Sequence, residues 1–113
     1  MTFAKPNWFE HVGAEHAAIR SGVVVIDQTS FSKYSLRGQN VLPFLQYLAV
    51  NNVDRPDSSL IYTQLCNERG GIEADLTIMR LAADDFYIVT GTAFGTHDGH
   101  WMRSQLVSAP SIA

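Results

Sequence analysis

The chain has 113 residues, a formal net charge of −3, and 46% hydrophobic against 17% charged residues. This length suits one domain and not two, and the composition is typical of a folded chain rather than a disordered one. The basic residues are scattered and no run approaches the roughly 20 apolar residues of a membrane span. The sequence therefore predicts neither a nucleic-acid partner nor a membrane partner.

The single cysteine, Cys66, has no partner for an internal disulfide, which fits a reducing compartment. The first ten residues, MTFAKPNWFE, lack the basic and then apolar layout of a signal peptide. We therefore expect a cytoplasmic protein. Cys66 lies in a strand-like run, where a small apolar filler is expected rather than a nucleophile.

The first 27 residues predict a helix followed by a strand. Residues 7–22 favour a helix because apolar side chains recur three and four residues apart. Asn7 is expected to cap this helix and Gly22 to end it in the left-handed conformation. Residues 23–27, VVVID, form a short apolar run that predicts a buried strand.

A second strand and a second helix follow. Residues 31–38 alternate in character, which predicts a strand with Tyr34 and Leu36 on its apolar face. Residues 40–50 predict a helix with Pro43 in its first turn, where proline is tolerated. The buried stripe of this helix is expected to comprise Val41, Phe44, Leu45 and Leu48.

The rest of the chain predicts three strands and a last helix. The strand-like runs are joined by short turns and cover residues 60–66, 71–81 and 85–91. Residues 96–106 favour a helix capped by Thr96. The element order predicts an α+β fold, a mainly antiparallel sheet with helices packed on one face.

The third strand-like run carries Asp75 with no basic residue nearby to neutralise it. A solvated strand carboxylate is the commoner explanation. A hairpin symmetric about residues 68 and 69 would instead pair Tyr62 with Asp75 and place phenol and carboxylate on one surface. A one-residue bulge at Gly70 would pair Thr63 with Asp75 and turn Tyr62 to the other face. The sequence leaves both registers open.

An ordered series of motifs spans roughly residues 6–106: PNWF, GVVVIDQTSF, LQYLAVNNV, YTQLCNERGGIEADLT and IVTGTAFGTHDGHW. The series resembles the tetrahydrofolate-binding aminomethyltransferase domain, which is the fold of the glycine-cleavage T-protein. PNWF and the HD..W helix are similar to the version carried by dimethylglycine and sarcosine dehydrogenases. The resemblance implies that residues 1–113 form a single partial domain, the front segment of such a folate-binding domain.

The resemblance also assigns site residues. The hairpin carboxylate after the two glycines maps onto Asp75, which implies a catalytic and folate-binding acid. Tyr62 and Phe31 map onto residues that border the folate. Many relatives have a second acid at the position of Ala74, T-proteins commonly have Met at the position of Phe31, and many relatives have a glycine in the loop before Tyr62.

The implied reaction moves a one-carbon unit from an oxidised N-methyl amine, such as dimethylglycine or sarcosine, to tetrahydrofolate. A carboxylate beside the accepting nitrogen can orient it and take up its proton. Gly91 and Gly95 form no dinucleotide fingerprint, so no flavin site is expected in this chain. The resemblance to the dehydrogenases implies that any FAD lies on an upstream domain. We expect the chain to form an open half-pocket, inactive alone, whose partners are that flavin domain or the remainder of the folate domain.

Other functions stay open. The chain would instead be a non-catalytic assembly module if an unfinished sheet offered its edge to a partner or to a second copy. Transfer of a methyl group from another small donor, such as a sulfonium, is a third hypothesis. His97, Asp98 and His100 invite a metal interpretation, but no further Cys or His cluster completes a ligand set, so no metal site is predicted.

Overall fold

The computed structural model describes residues 4–108 of the chain. Helices and strands follow one another in the order α, β, α, β, β, β, α. Their bounds are α1 Phe9–Ser21, β1 Ser32–Arg37, α2 Val41–Leu48, β2 Leu60–Cys66, β3 Ile72–Ala82, β4 Asp85–Thr90 and α3 Gly95–Ser108, with a short 3-10 turn at Thr92–Phe94. No helix within residues 4–108 is both long enough and apolar enough to cross a membrane.

The strands of the described residues form one antiparallel sheet in the order β1-β4-β3-β2. Ile88 of β4 is paired on one side with Tyr34 of β1 and on the other with Ile78 of β3. The predicted α+β class with a mainly antiparallel sheet is therefore confirmed.

One face of the sheet carries the core. Alternate residues are buried in the middle of β3 and along β4, because successive side chains of a strand point to opposite faces. α2 and α3 cover this face, and the predicted stripe of α2 is confirmed except that Val41 is only half-buried. The buried apolar cluster comprises Phe44, Leu45, Leu48, Val53, Ile61, Leu65, Ala74, Leu76, Ile78, Phe86, Ile88 and Met102.

The opposite face of the sheet is bare within the described part of the chain. Leu60 is 67% exposed and Tyr62 59% exposed on this face. Asp75, two residues along β3 from the half-buried Thr77, is exposed as well. An antiparallel sheet can face water on one side, and here that side exposes large apolar side chains.

The predicted strand at residues 23–27 is wrong. These residues pair with no strand of the described chain, and Val23 and Val25 are 100% and 96% exposed. An apolar run shows that a segment favours burial, but it does not supply a neighbouring strand with free hydrogen-bonding groups. Within residues 4–108 this run pairs with neither outer strand of the sheet, so the predicted strand does not form.

The first helix exists, but its predicted ends are wrong. α1 begins at Phe9 after Trp8, and no side chain caps it, so Asn7 is not the cap. Gly22 has φ −148°, which is extended backbone and not the left-handed stop. No side chain of α1 is buried, so the apolar spacing that predicted this helix is not matched by a packing partner within residues 4–108.

Small residues let α3 approach β1 closely. The Tyr34 hydroxyl donates a hydrogen bond to the carbonyl of Gly95, the first residue of α3. A Cβ on Gly95 would come within 2.1 Å of the Ser32 hydroxyl oxygen, and one on Gly99 within 3.1 Å of the Tyr34 ring. The helix therefore starts at Gly95, and the predicted cap at Thr96 is wrong.

We expect Tyr34→Phe to destabilise the protein by about 1 kcal/mol at neutral pH, the net value of a lost hydrogen bond. Burial, and then the Asp98 carboxylate, raise the pKa of Tyr34 above its ordinary value of 10.0. Above pH 10 the unfolded chain loses this proton before the folded chain does, so wild-type stability falls as pH rises. Urea unfolding should show that the difference in free energy of unfolding between the wild-type protein and Tyr34→Phe becomes smaller above pH 10.

Tyr47→Phe is the matched control, because Tyr47 is 51% exposed. If both variants show the same pH dependence, the Tyr34 hydroxyl does not join β1 to α3.

Candidate functional site

The register of the β2–β3 hairpin differs from both predicted registers. Gln64 is paired with Asp75, and Tyr62 with Thr77. Two local features lengthen the hairpin: Gly70 takes φ +78° in the turn, and the pairing shifts between Leu65 and Cys66. A bulge of this kind adds one unpaired residue.

Together these two features displace the strand pairing by two residues from the symmetric hairpin. Because side chains alternate faces with a period of two, this displacement leaves each side chain on its expected face. Both predicted pairings are wrong, yet Tyr62 and Asp75 still share the bare face. They are diagonal neighbours, a separation that aromatic side chains span. The Tyr62 hydroxyl donates a hydrogen bond of 2.8 Å to Asp75 Oδ2.

The Asp75 carboxylate is exposed and forms no salt bridge with any residue of 4–108. The phenol of Tyr62 is its hydrogen-bond partner, which leaves Oδ1 open to accept a further donor. The arrangement is therefore a pre-oriented acceptor beside an aromatic ring. This arrangement can bind a flat molecule that carries an N–H or O–H group.

Glu73 does not share the surface of Asp75, although strict alternation along the strand would place both carboxylates on one face. Ala74 pairs with Leu65 and Ile72 with Cys66, which leaves Glu73 as the bulged residue. Its Oε1 accepts a hydrogen bond of 2.7 Å from Asn67 Nδ2 and its Oε2 lies 3.8 Å from His97 Nε2. The bulge thus removes one of the two carboxylates from the bare face.

The buried acid of the molecule is Asp98, in the first turn of α3. Its side chain is 1% exposed, accepts a hydrogen bond from the Thr90 hydroxyl, and lies 2.9 Å from His97 Nδ1. His97 thus has a carboxylate beside each ring nitrogen. In residues 4–108 no group of three or more Cys, His, Asp or Glu side chains could hold a metal ion.

Phe31 lies apart from the hydrogen-bonded pair. It precedes Ser32, which pairs with Thr90 of β4, and Thr90 pairs in turn with Leu76 of β3. Neighbouring strands are about 4.8 Å apart, so Phe31 is near the row of Asp75 but about 10 Å across the sheet. Of the three predicted site residues the structure joins two directly, and the roles of all three stay predictions.

Two neighbours of the pair were not predicted. Thr77 faces Tyr62 across the hairpin, and Val89 faces Thr77 from β4. Both are half-buried on the bare face. Thr77 could have been found from the sequence, because it lies two residues from Asp75 on the same face of the strand. Val89 could not, because its position depends on the pairing of β3 with β4, which no local pattern specifies.

The loop before Tyr62 is held by a cation on the core side. Arg80, whose side chain is 12% exposed, lies 2.5 Å from Asp54 and 3.3 Å from Asp57. The Ser58 amide donates to the Arg80 carbonyl, and Ser58 has φ +70°. A serine therefore takes the left-handed position in a loop that contains no glycine.

The family comparison identifies the domain type. The chain matches the model described as "GCVT N-terminal domain" over residues 1–112. Among solved structures it is similar to the glycine cleavage system aminomethyltransferase T from Bartonella henselae, with a TM-score of 0.62 and 26% identity, over 66% of this chain and 21% of that chain. The predicted resemblance to the T-protein family is thereby confirmed.

Two curated relatives are much longer than this chain. It is 40% identical over 89 residues to "4-methylaminobutanoate oxidase (formaldehyde-forming)" of Paenarthrobacter nicotinovorans, covering 79% of this chain and 11% of the relative. It is 36% identical over 107 residues to "Pyruvate dehydrogenase phosphatase regulatory subunit, mitochondrial" of Mus musculus, covering 93% and 12%. The chain thus spans about an eighth or less of their length.

We expect Asp75→Ala to change the free energy of unfolding by less than about 0.5 kcal/mol, because Asp75 is exposed and without an ion pair. Asp98→Ala should cost about 2 kcal/mol, because it leaves the buried Thr90 hydroxyl without its acceptor. Urea unfolding at pH 7 measures both. Equal losses in the two variants would mean that Asp75 has a structural role.

Proposed function

The chain belongs to the family of the GCVT N-terminal domain, and we propose that it is the front part of a domain that transfers a one-carbon unit to tetrahydrofolate. The observation that carries this proposal is the Tyr62–Asp75 pair on the bare face of the sheet. A carboxylate without a cation is a poor stabiliser of the fold. It is well suited to accept a hydrogen bond from a ligand.

The exposed groups fit a reduced folate. Its pterin is flat and carries N–H donors, and Asp75 has an open acceptor oxygen beside the Tyr62 ring. Thr77, Met79 and Val89 are half-buried on the same face and supply a largely apolar wall. Ligand sites commonly combine such walls with a few placed polar groups.

Tetrahydrofolate, when bound, supplies a nitrogen that attacks an electrophilic one-carbon group. Asp75 would orient that nitrogen through its N–H and hold the released proton on the open oxygen. Tyr62 would position the carboxylate by donating to its other oxygen, while its ring shields the site from water. The hairpin carries both side chains, so a rigid β-ribbon fixes their separation.

For the donor we propose an oxidised N-methyl amine of the dimethylglycine or sarcosine type. Support comes from the curated relative named for oxidation of 4-methylaminobutanoate with formation of formaldehyde, which is N-methyl amine chemistry. Flavin chemistry would belong to another domain of a longer protein. A sulfonium or similar methyl donor would be the alternative if N-methyl amines fail as substrates of such a protein.

A non-catalytic module is the second candidate. One relative is named as a regulatory subunit of a phosphatase, and it aligns over 93% of this chain. The apolar bare face would then bind a partner protein instead of a ligand. Asp75 and Tyr62 would be interchangeable with other polar residues in that case.

The direct test is titration of the chain with tetrahydrofolate, followed by amide NMR. We expect weak binding, with a dissociation constant of about 1 mM, because the chain spans a small part of its relatives. Shifted signals should cluster at Tyr62, Asp75 and Thr77. Asp75→Asn should abolish these shifts, because the amide adds a donor that opposes the ligand N–H.

Asp84→Asn is the matched control, since Asp84 is exposed at the tip of the β3–β4 hairpin, and it should bind like the wild-type protein. Unchanged binding by Asp75→Asn would refute the role of the carboxylate. Micromolar binding by the isolated chain would refute the half-pocket. No shift on the bare face at saturating folate would favour the non-catalytic module.

A further inference from the structure

A cavity of about 670 Å³ lies on the helix-covered side of the sheet, next to its free edge. It opens between strand β1, the first turn of α2, and α3. Its apolar wall is formed by Leu36, Val41, Phe44, Met102 and Leu106. The volume falls within the roughly 300–1,000 Å³ of small-molecule sites.

The cavity is separate from the Asp75 surface. Leu36 belongs to the core face of β1, whereas Tyr62 and Asp75 lie on the bare face. β1 and β2 are the two outer strands of the described sheet, so the cavity and Tyr62 lie at opposite edges. A molecule held in the cavity therefore would not occupy the site proposed for folate.

The polar lining of the cavity has one sign of charge. Arg37 and Arg103 contribute guanidinium groups, and no carboxylate is among the lining residues. Arg37 is paired with Asp85 at 3.1 Å, whereas Arg103 forms no salt bridge in the described part of the chain. The unbalanced positive charge at the cavity is therefore that of Arg103.

Arg103 is exposed, and its guanidinium lies beside the cavity. A Cβ on Gly99 would lie 3.5 Å from Arg103 Nη2 and 3.1 Å from the Tyr34 ring, so the guanidinium lies close to both residues. Asn40, which precedes α2, makes no side-chain cap hydrogen bond and lines the same cavity. A cation and a free amide thus border an apolar hollow.

We propose that this cavity binds a small anionic amphiphile, a molecule with an aromatic or branched aliphatic body and a carboxylate or sulfonate group. The body packs against the apolar wall, and the anion pairs with Arg103. A guanidinium bound to a carboxylate in two parallel hydrogen bonds gives the orientation as well as part of the affinity. The site is independent of the proposed folate site.

The test uses 1-anilinonaphthalene-8-sulfonate, whose fluorescence rises in apolar surroundings, with the full chain. Arg103→Gln should weaken its binding about tenfold, because the anion loses its charged partner. Uncharged N-phenyl-1-naphthylamine should bind both proteins alike. Leu106→Glu, which places a negative charge in the cavity wall, should weaken binding of the sulfonate to a similar extent.

Two control variants separate the cavity from other apolar surfaces. Leu81→Glu makes the same change at a leucine that is 51% exposed outside the cavity, and Arg69→Gln removes an exposed arginine of the β2–β3 turn. Both should keep wild-type affinity, and circular dichroism should show all variants folded. The proposal is overturned if Arg103→Gln binds the sulfonate as the wild-type protein does, or if Leu81→Glu weakens it as much as Leu106→Glu.

Discussion

The β2–β3 hairpin depends on a parity constraint: an even displacement of the register keeps side chains on their faces, and an odd one exchanges them. The left-handed Gly70 and the bulge that expels Glu73 together shift the pairing by two residues. One feature without the other would have turned Tyr62 toward the helices. The hydrogen bond between Tyr62 and Asp75 exists because both are present. The same bulge sends Glu73 to His97, which leaves one carboxylate on the surface instead of two.

The two faces of the sheet differ: one carries the buried core and the other the exposed Tyr62–Asp75 pair. α2 and α3 lie on one face and cover the buried apolar cluster that stabilises the chain. Arg80, which lies on the same side of the sheet as the core, holds the loop before β2 through ion pairs with Asp54 and Asp57. The start of the strand that carries Tyr62 is therefore held from the core side. The bare face can then keep exposed groups, since the fold does not depend on them.

Local sequence patterns correctly predicted the burial of helices and strands whose packing partners lie within the described residues. Alternation located β1 to β4, and the stripe of α2 was right because that helix packs on the sheet beside it. Residues 23–27 and the apolar spacing of α1 show the same patterns without a partner in residues 4–108, so burial predicted from them failed. The register failed for another reason. A bulge is a response to twist and to neighbouring strands, and the residues around Glu73 carry no local signal for it.

The segment 23–27 and the bare face of the sheet both leave apolar side chains exposed in the described chain. Val23, Val25 and Tyr62 expose apolar surface that a self-sufficient domain would bury. A radius of gyration of 17.9 Å exceeds the roughly 13 Å expected for a compact chain of this length. Both facts fit a segment that is a small share of its relatives. The Tyr62–Asp75 pair does not depend on burial of this apolar surface, because one hairpin supplies both side chains and their hydrogen bond.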